Sequence, residues 1–185
     1  MTDARLPYFT IGHSTLSVDQ LAARLQAVGV TRLIDVRSFP RSRTNPQFNA
    51  DTLARDLAER GIAYERLPDL GGRRGRQPGV APEVNGFWDN ASFHHYADWA
   101  LQPPFAAALA TLRRQGQHER CAIMCSEAVW WRCHRRIIAD HLLAAGEQVC
   151  HLMDGRSEAA HLTPGAQVHG NGTVTYPARA PTADA

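Results

Sequence analysis

Cys125 closes an apolar run, Cys121 to Cys125, and Ser126 and Glu127 follow it at once. A thiol placed where a strand-length run gives way to a turn is open to ionisation by a helix amino terminus or a guanidinium, and the thiolate is the nucleophilic form. The same cysteine held among apolar neighbours is a small, inert core side chain, so position alone leaves both roles open. His13 lies just past another apolar run, Tyr8 to Gly12, where it is a candidate base for Cys125. Glu127 is a second reactive candidate, so the catalytic set read from the residues is Cys125, Glu127 and His13.

Arginine dominates the surroundings of these groups. Ser14 follows His13; Arg37, Ser38, Arg41, Arg43 and Asn45 follow the run Arg32 to Val36; Arg73 and Arg74 follow the run Ala63 to Leu67; Arg132, Cys133, His134 and Arg135 follow Cys125. A guanidinium grips phosphate or carboxylate through two parallel hydrogen bonds, so several converging on one crevice would hold an anion, phosphate-bearing ligands first. The competing assignment pairs these arginines with Asp35, Asp69 and Glu127 as loop anchors. The excess of arginines over acids in these segments favours the anion site.

Several chemistries fall away on residue types and spacing. All twenty basic residues are arginine, which excludes a Walker-type phosphate-loop lysine, an internal Schiff base and a lysine base. The first arginine after Cys125 is Arg132, one residue too far for the loop of cysteine phosphatases. Cys125, Cys133, His134 and His13 could in principle meet around zinc, but no cysteine pair has zinc-ribbon spacing. No metal and no cofactor are expected, and Cys133 and His134 suit the start of a helix. His94 and His95, beside Tyr96 and Trp99, read as helical, and the Trp130–Trp131 pair can stack on a base or simply cover a loop.

The elements that must position these groups alternate along the chain. Strand-length runs cover Tyr8 to Gly12, Arg32 to Val36, Ala63 to Leu67, Cys121 to Cys125 and Gln148 to Leu152. Between them, apolar residues at helical spacing end on glycines: Leu21, Leu25 and Val28 before Gly29; Leu53 and Leu57 before Gly61; Phe105, Leu109 and Leu112 before Gly116; Ile138, Leu142 and Ala145 before Gly146. Ser17 and Gln20 stand at capping-box spacing. The fold class expected is a single α/β domain over residues 1–153, a largely parallel open sheet of about five strands with helices on both faces. Right-handed crossovers then bring every loop after a strand to one edge, which gathers the site residues. Residues 70–90 and 37–49 read as long loops over that edge, and residues 154–185 as an irregular or partly disordered tail.

A net charge of +2 is too small to announce a nucleic-acid binder. No run approaches the roughly 20 apolar residues that span a bilayer, and no signal-peptide pattern opens the chain. The four cysteines lie in or beside apolar segments, which suits reduced thiols and a cytoplasmic location with no membrane partner.

The order of these segments resembles a bacterial and archaeal family, the domain of unknown function 488. The resemblance is carried by Thr10-Ile-Gly-His-Ser14, Leu33 to Arg43 with Asn45, Pro46 and Phe48, Leu67 to Arg73, Phe93 with Tyr96, and Met124 to Glu127 followed by Cys133 to Arg135. It implies little about activity, but its motif residues fall on the strand ends singled out above. The function expected is an enzyme acting on a phosphate-bearing small molecule, nucleotide or nucleic-acid end. One alternative is an accessory protein that grips nucleic-acid phosphates with Arg73, Arg74 and Arg76 and stacks Trp130 or Trp131 on a base. Another is a metal-dependent hydrolase or a structural zinc module.

Overall fold

The structure is a computed structural model and describes residues 5–180. Each apolar run becomes a strand: β1 (Tyr8–Gly12), β2 (Arg32–Asp35), β3 (Ala63–Arg66), β4 (Cys121–Cys125) and β5 (Val149–Met153). The helices between them are α1 (Val18–Ala27), α2 (Ala50–Ala58), α3 (Ala91–Trp99), α4 (Pro103–Gly116) and α5 (Arg135–Ala144). The capping box forms at α1: Ser17 Oγ accepts from the Gln20 N–H at 3.1 Å, and Gln20 Oε1 accepts from the Ser17 N–H at 2.8 Å. Gly29, Gly61 and Gly146 follow their helices with φ of 72°, 74° and 81°, as helix-ending glycines do. Gly116 differs, because it is the last residue of α4 itself. A Cβ there would stand 2.0 Å from the Tyr8 hydroxyl, so a bare backbone is what lets α4 settle on the Tyr8 ring.

The sheet runs in the order β3-β2-β4-β1-β5, all parallel, with a sixth strand, β6 (Arg156–Ala159), antiparallel to β5. The expected single α/β domain with a largely parallel sheet is therefore present, one antiparallel strand wider. Helices cover both faces. α1 and α2 bury Leu21, Leu25, Leu53 and Leu57 against Ile11, Leu33 and Met124 on one side. α3, α4 and α5 bury Tyr96, Phe105, Leu112 and Ile138 against Ile34, Ile123 and Tyr8 on the other. Each fully buried large apolar side chain contributes about 1.5 to 3 kcal/mol, so these two layers hold the helices to the sheet and fix where its strand ends lie.

Low apolar content makes the chain after Met153 read as irregular; residues 181–185 lie outside the described residues, and over 154–180 a few anchors hold the chain to the domain. Tyr176 is fully buried and donates its hydroxyl to Asp140 Oδ2 at 2.7 Å; its backbone N–H reaches Asn85 Oδ1 at 2.9 Å. The Thr163 N–H donates to Asp140 Oδ1 at 2.9 Å, and a small hairpin, β7 (Gln167–Val168) and β8 (Val174–Thr175), brings in buried Val174. Isolated anchors of this kind have no periodicity for sequence reading to detect. Among the described residues, no helix is long and apolar enough to cross a membrane.

Connections leave β1 and β2 toward the α1/α2 face and leave β4 toward the α5 face. The loop after β4 thus parts from the loops of both its neighbours, and a crevice opens over the β4 end, where parallel sheets bind ligands. Gly12 of β1 is level with Cys125, and Asp35 of β2 with Met124, so His13, Arg37 and the β4 loop start at one height.

Candidate functional site

A cleft of about 1130 Å³ lies over the carboxyl ends of the strands. Its lining takes in His13 and Ser14 after β1; Arg37, Ser38, Arg41 and Asn45 after β2; Arg73 and Arg74 after β3; and Cys125, Glu127, Cys133 and His134 after β4. Arg43 is exposed and outside the lining, and Arg135 lies buried behind the floor.

The floor is built on two cysteines. Cys125 ends β4 and Cys133 precedes α5; both are buried, and their sulfurs are 2.6 Å apart. Arg135 directs its Nε at Cys133 Sγ from 3.3 Å, donates Nη1 to Thr10 Oγ1 at 3.2 Å and donates Nη2 to the Glu127 carbonyl at 2.7 Å. This guanidinium is 1% exposed, and among the described residues no carboxylate pairs with it. A buried cation without a counter-ion is costly, and the sulfur at its Nε is the group that can supply the charge. His134 Nε2 faces the Val36 carbonyl at 2.9 Å and so carries a proton there, while Nδ1 lies 3.5 Å from Cys133 Sγ. A proton can therefore pass between Cys133 and His134 Nδ1. Burial pushes the Cys133 thiol up, but the hydrogen bond from Cys125 and the charges of His134 and Arg135 outweigh it and hold Cys133 well below the ordinary thiol range. Burial, with Cys133 alongside, pushes Cys125 well above that range. Gly72 makes room for the imidazole, since a Cβ there would meet His134 Nδ1 at 2.5 Å.

One wall is a saturated polar unit. Arg37 is buried and grips Asp35 through Nε at 2.9 Å and Nη2 at 2.6 Å, and Nη2 also reaches the Phe48 carbonyl at 2.7 Å. The Tyr64 hydroxyl donates to the same carboxylate. His13 Nδ1 contacts the Ser14 carbonyl at 2.9 Å, which fixes the proton on Nδ1 and leaves Nε2 to accept from Arg37 Nη1 at 3.3 Å. The ring stacks on Phe48 at 4.1 Å. Burial, against the opposing bond to Ser14 and with help from the Arg37 charge, lowers the His13 pKa to about 4. His13 is thus neutral with both nitrogens engaged. Ser14, beside it, has a φ of 43°, a left-handed conformation that a non-glycine residue holds at a cost of about 1 to 3 kcal/mol and that clusters at working sites.

The rim behaves differently. Among the described residues, no carboxylate pairs with Arg41, Arg73 or Arg132. Arg74 spends its donors on the Gly71 carbonyl at 3.0 Å and the Pro68 carbonyl at 2.5 Å, with its guanidinium 4.0 Å from the Trp99 ring centre. Five arginines and one acid, Glu127, line the cleft, and Arg37 is already neutralised by Asp35. Four cationic groups therefore face one carboxylate, a potential that draws in anions. Ser38 ties two loops together by accepting the Arg73 N–H at 2.8 Å, and Asn45 is fixed by its N–H to Ser42 Oγ at 3.0 Å.

Sequence reading centred the thiolate on Cys125, whereas the electropositive contacts gather on Cys133. The signal available was Cys-His-Arg at 133–135, a thiol with an imidazole and a guanidinium beside it, which local sequence places at a helix start and cannot aim. Phe39, Phe93 and Tyr96 also line the cleft without having been singled out as ligand contacts, and Phe39 is 65% exposed. His151, Thr10 and Trp130 form a buried layer behind the floor: Thr10 Oγ1 is 2.7 Å from His151 Nδ1, and Trp130 stacks on that ring at 4.4 Å. Among the described residues, no three His, Cys, Asp or Glu side chains gather in a way that could hold a metal ion.

No curated protein and no solved structure matches the chain. The family model for the domain of unknown function DUF488 matches residues 17–142, more than half of the chain, and the chain belongs to that family.

Proposed function

We propose that this member of the family is a cysteine-dependent enzyme that acts on a phosphate-bearing small molecule, nucleotide or nucleic-acid end. The observation that carries the reading is the buried Arg135, which pairs with no carboxylate among the described residues and directs its Nε at the Cys133 sulfur, 3.3 Å away and facing the cleft. Cys133 as a thiolate is the nucleophile, and His134 Nδ1 holds the proton that the thiol gives up. Arg41, Arg73 and Arg132 on the rim hold the anionic group of the substrate. Attack forms a bond from sulfur to the electrophilic atom beside that group, and the leaving oxygen takes the proton from His134. Glu127 is positioned at the cleft to activate the water that then frees the sulfur. His13, neutral and held by Ser14 and Arg37, orients the wall.

The test is a turnover screen over phosphomonoesters, nucleotides and phosphorylated nucleic-acid ends. Cys133→Ser should reduce turnover to the uncatalysed level while phosphate still binds. Cys125→Ser, whose hydroxyl can still donate to Cys133, should keep a measurable rate. In the wild type, Cys133 should react with iodoacetamide at pH 6, where an ordinary thiol of pKa about 8.5 is almost wholly protonated. A Cys133 that alkylates only above pH 8 would sink the reading. The exposed Trp131 and the unpaired rim arginines support a second reading, a nucleic-acid-binding accessory role. Binding on that reading would weaken steeply with salt and survive Cys133→Ser.

A further inference from the structure

Resting on the assignment of Cys133 as the thiolate, we propose that Cys125 is its resolving partner and that hydroperoxides join the two in a reversible disulfide. The two sulfurs, 2.6 Å apart, are already inside ordinary non-bonded contact, whereas a disulfide closes at about 2.05 Å. Only seven residues separate the pair, and Cys125 is fixed at the end of a central strand hydrogen-bonded on both sides. Cys133 is held by its N–H to the Trp130 carbonyl at 3.1 Å and begins the turn into α5. Both cysteines line the cleft, so a small peroxide has a path to them. The other two cysteines are placed elsewhere: Cys121 starts β4 at the opposite edge, with burial pushing its thiol to about 12, and Cys150 lies on β5.

The electrons balance in two steps. The Cys133 thiolate attacks one oxygen of the hydroperoxide; the S–O bond forms, the O–O bond breaks, sulfur gives up two electrons, and the departing oxygen takes the proton held on His134. The Cys125 sulfur then attacks the resulting sulfenic acid; the S–S bond forms, the S–O bond breaks, and hydroxide leaves with the Cys125 proton as water. Two thiols and one hydroperoxide thus yield a disulfide, an alcohol or water, and water. A dithiol reverses the change by exchange. While it lasts, the nucleophile of the proposed reaction is withdrawn.

Reduced full-length protein treated with one equivalent of hydrogen peroxide, then blocked with N-ethylmaleimide and cut with trypsin, tests this. Cleavage after Arg120, Arg132 and Arg135 puts Cys125 and Cys133 on separate peptides, so a linked pair is diagnostic. The expected result is that linked pair, lost on adding dithiothreitol, together with trapping of Cys133 sulfenic acid by dimedone in Cys125→Ser. Free Cys125 beside Cys133 sulfinic acid, or a disulfide between chains, would overturn the proposal. The same reduced sample, alkylated across pH, separates the premises. Fast alkylation of Cys133 at pH 6 with no linked peptide removes the resolving role alone. Slow alkylation there removes both the thiolate assignment and this inference.

Discussion

The two edges of the sheet use the same residue type in opposite ways. At the edge where the strands start, arginines are matched to acids: Arg32 to Glu65 at 3.0 Å and to Glu119, Arg113 to Glu147 at 3.0 Å, and Arg5 to Glu147 at 3.6 Å. Around the cleft at the edge where the strands end, Asp35 is committed to Arg37, and Arg41, Arg73 and Arg132 pair with no carboxylate among the described residues. Pairing holds an edge together, and withheld pairing leaves charge for a ligand. The floor repeats the contrast in a buried setting, since Arg37 has a carboxylate and Arg135 has a cysteine. A guanidinium is therefore no indicator of function by itself; what it lacks in partners is.

Acid should separate the edges most strongly. The layer behind the cleft rests on neutral imidazoles: burial lowers His13 and His151 each to about 4, from the ordinary value of about 6.5. The unfolded chain binds protons at these sites before the folded one does, so the stability they contribute is complete above pH 6.5 and is lost as pH falls toward 4. Full expression would be roughly 3 kcal/mol per histidine, in sum a large share of the stability of an ordinary domain. Circular-dichroism melts at pH 7 and pH 4.5 should show a large fall in Tm, and a flat profile would mean the imidazoles are not held neutral.

Removing one carboxylate at each edge comes next in size. Asp35→Asn leaves the Arg37 guanidinium buried without its counter-ion and takes away the acceptor of Tyr64, a loss of about 3 to 5 kcal/mol. Glu147→Gln loosens Arg113 and Arg5, which are 39% and 64% exposed and can turn to water, so about 1 kcal/mol is expected. Urea midpoints compare the two directly. Equal losses would erase the distinction between a buried clamp and a surface pair.

Periodicity made the layers legible, because Leu21 and Leu25, or Ile138 and Leu142, announce a helix face from spacing alone, and apolar runs such as Cys121 to Cys125 announce buried strands. The edge on which the candidate residues meet followed from topology, and Cys125, His13, Arg37, Arg73 and His134 do share one cleft. What stayed hidden was partner choice. Nothing in the sequence tells that Arg37 spends itself on Asp35 two residues back while Arg73 pairs with no acid among the described residues, or that Arg43, two residues from Arg41, lies outside the cleft lining. Nor could it show that His134 bonds Val36, ninety-eight residues distant, and so presents its other nitrogen to Cys133. Long-range hydrogen bonds set which cysteine has the imidazole and the guanidinium beside it, and they leave no local pattern.

The smallest change in stability should carry the clearest functional signal. Arg73 makes no side-chain ion pair among the described residues, its guanidinium lies 5.1 Å from the exposed Phe39 ring, and its structural bond to Ser38 is made by the backbone N–H, which alanine keeps. Arg73→Ala should therefore shift stability by no more than about 0.5 kcal/mol. Loss of one charge-assisted contact should nonetheless weaken inorganic phosphate binding about tenfold by calorimetry. Arg113→Ala at the opposite edge is the matched control: it should lower stability by about 1 kcal/mol and leave phosphate binding unchanged. If Arg73→Ala costs as much stability as Arg113→Ala and phosphate affinity does not move, the rim arginines are anchors after all, and the contrast between the two edges is one of partner type alone.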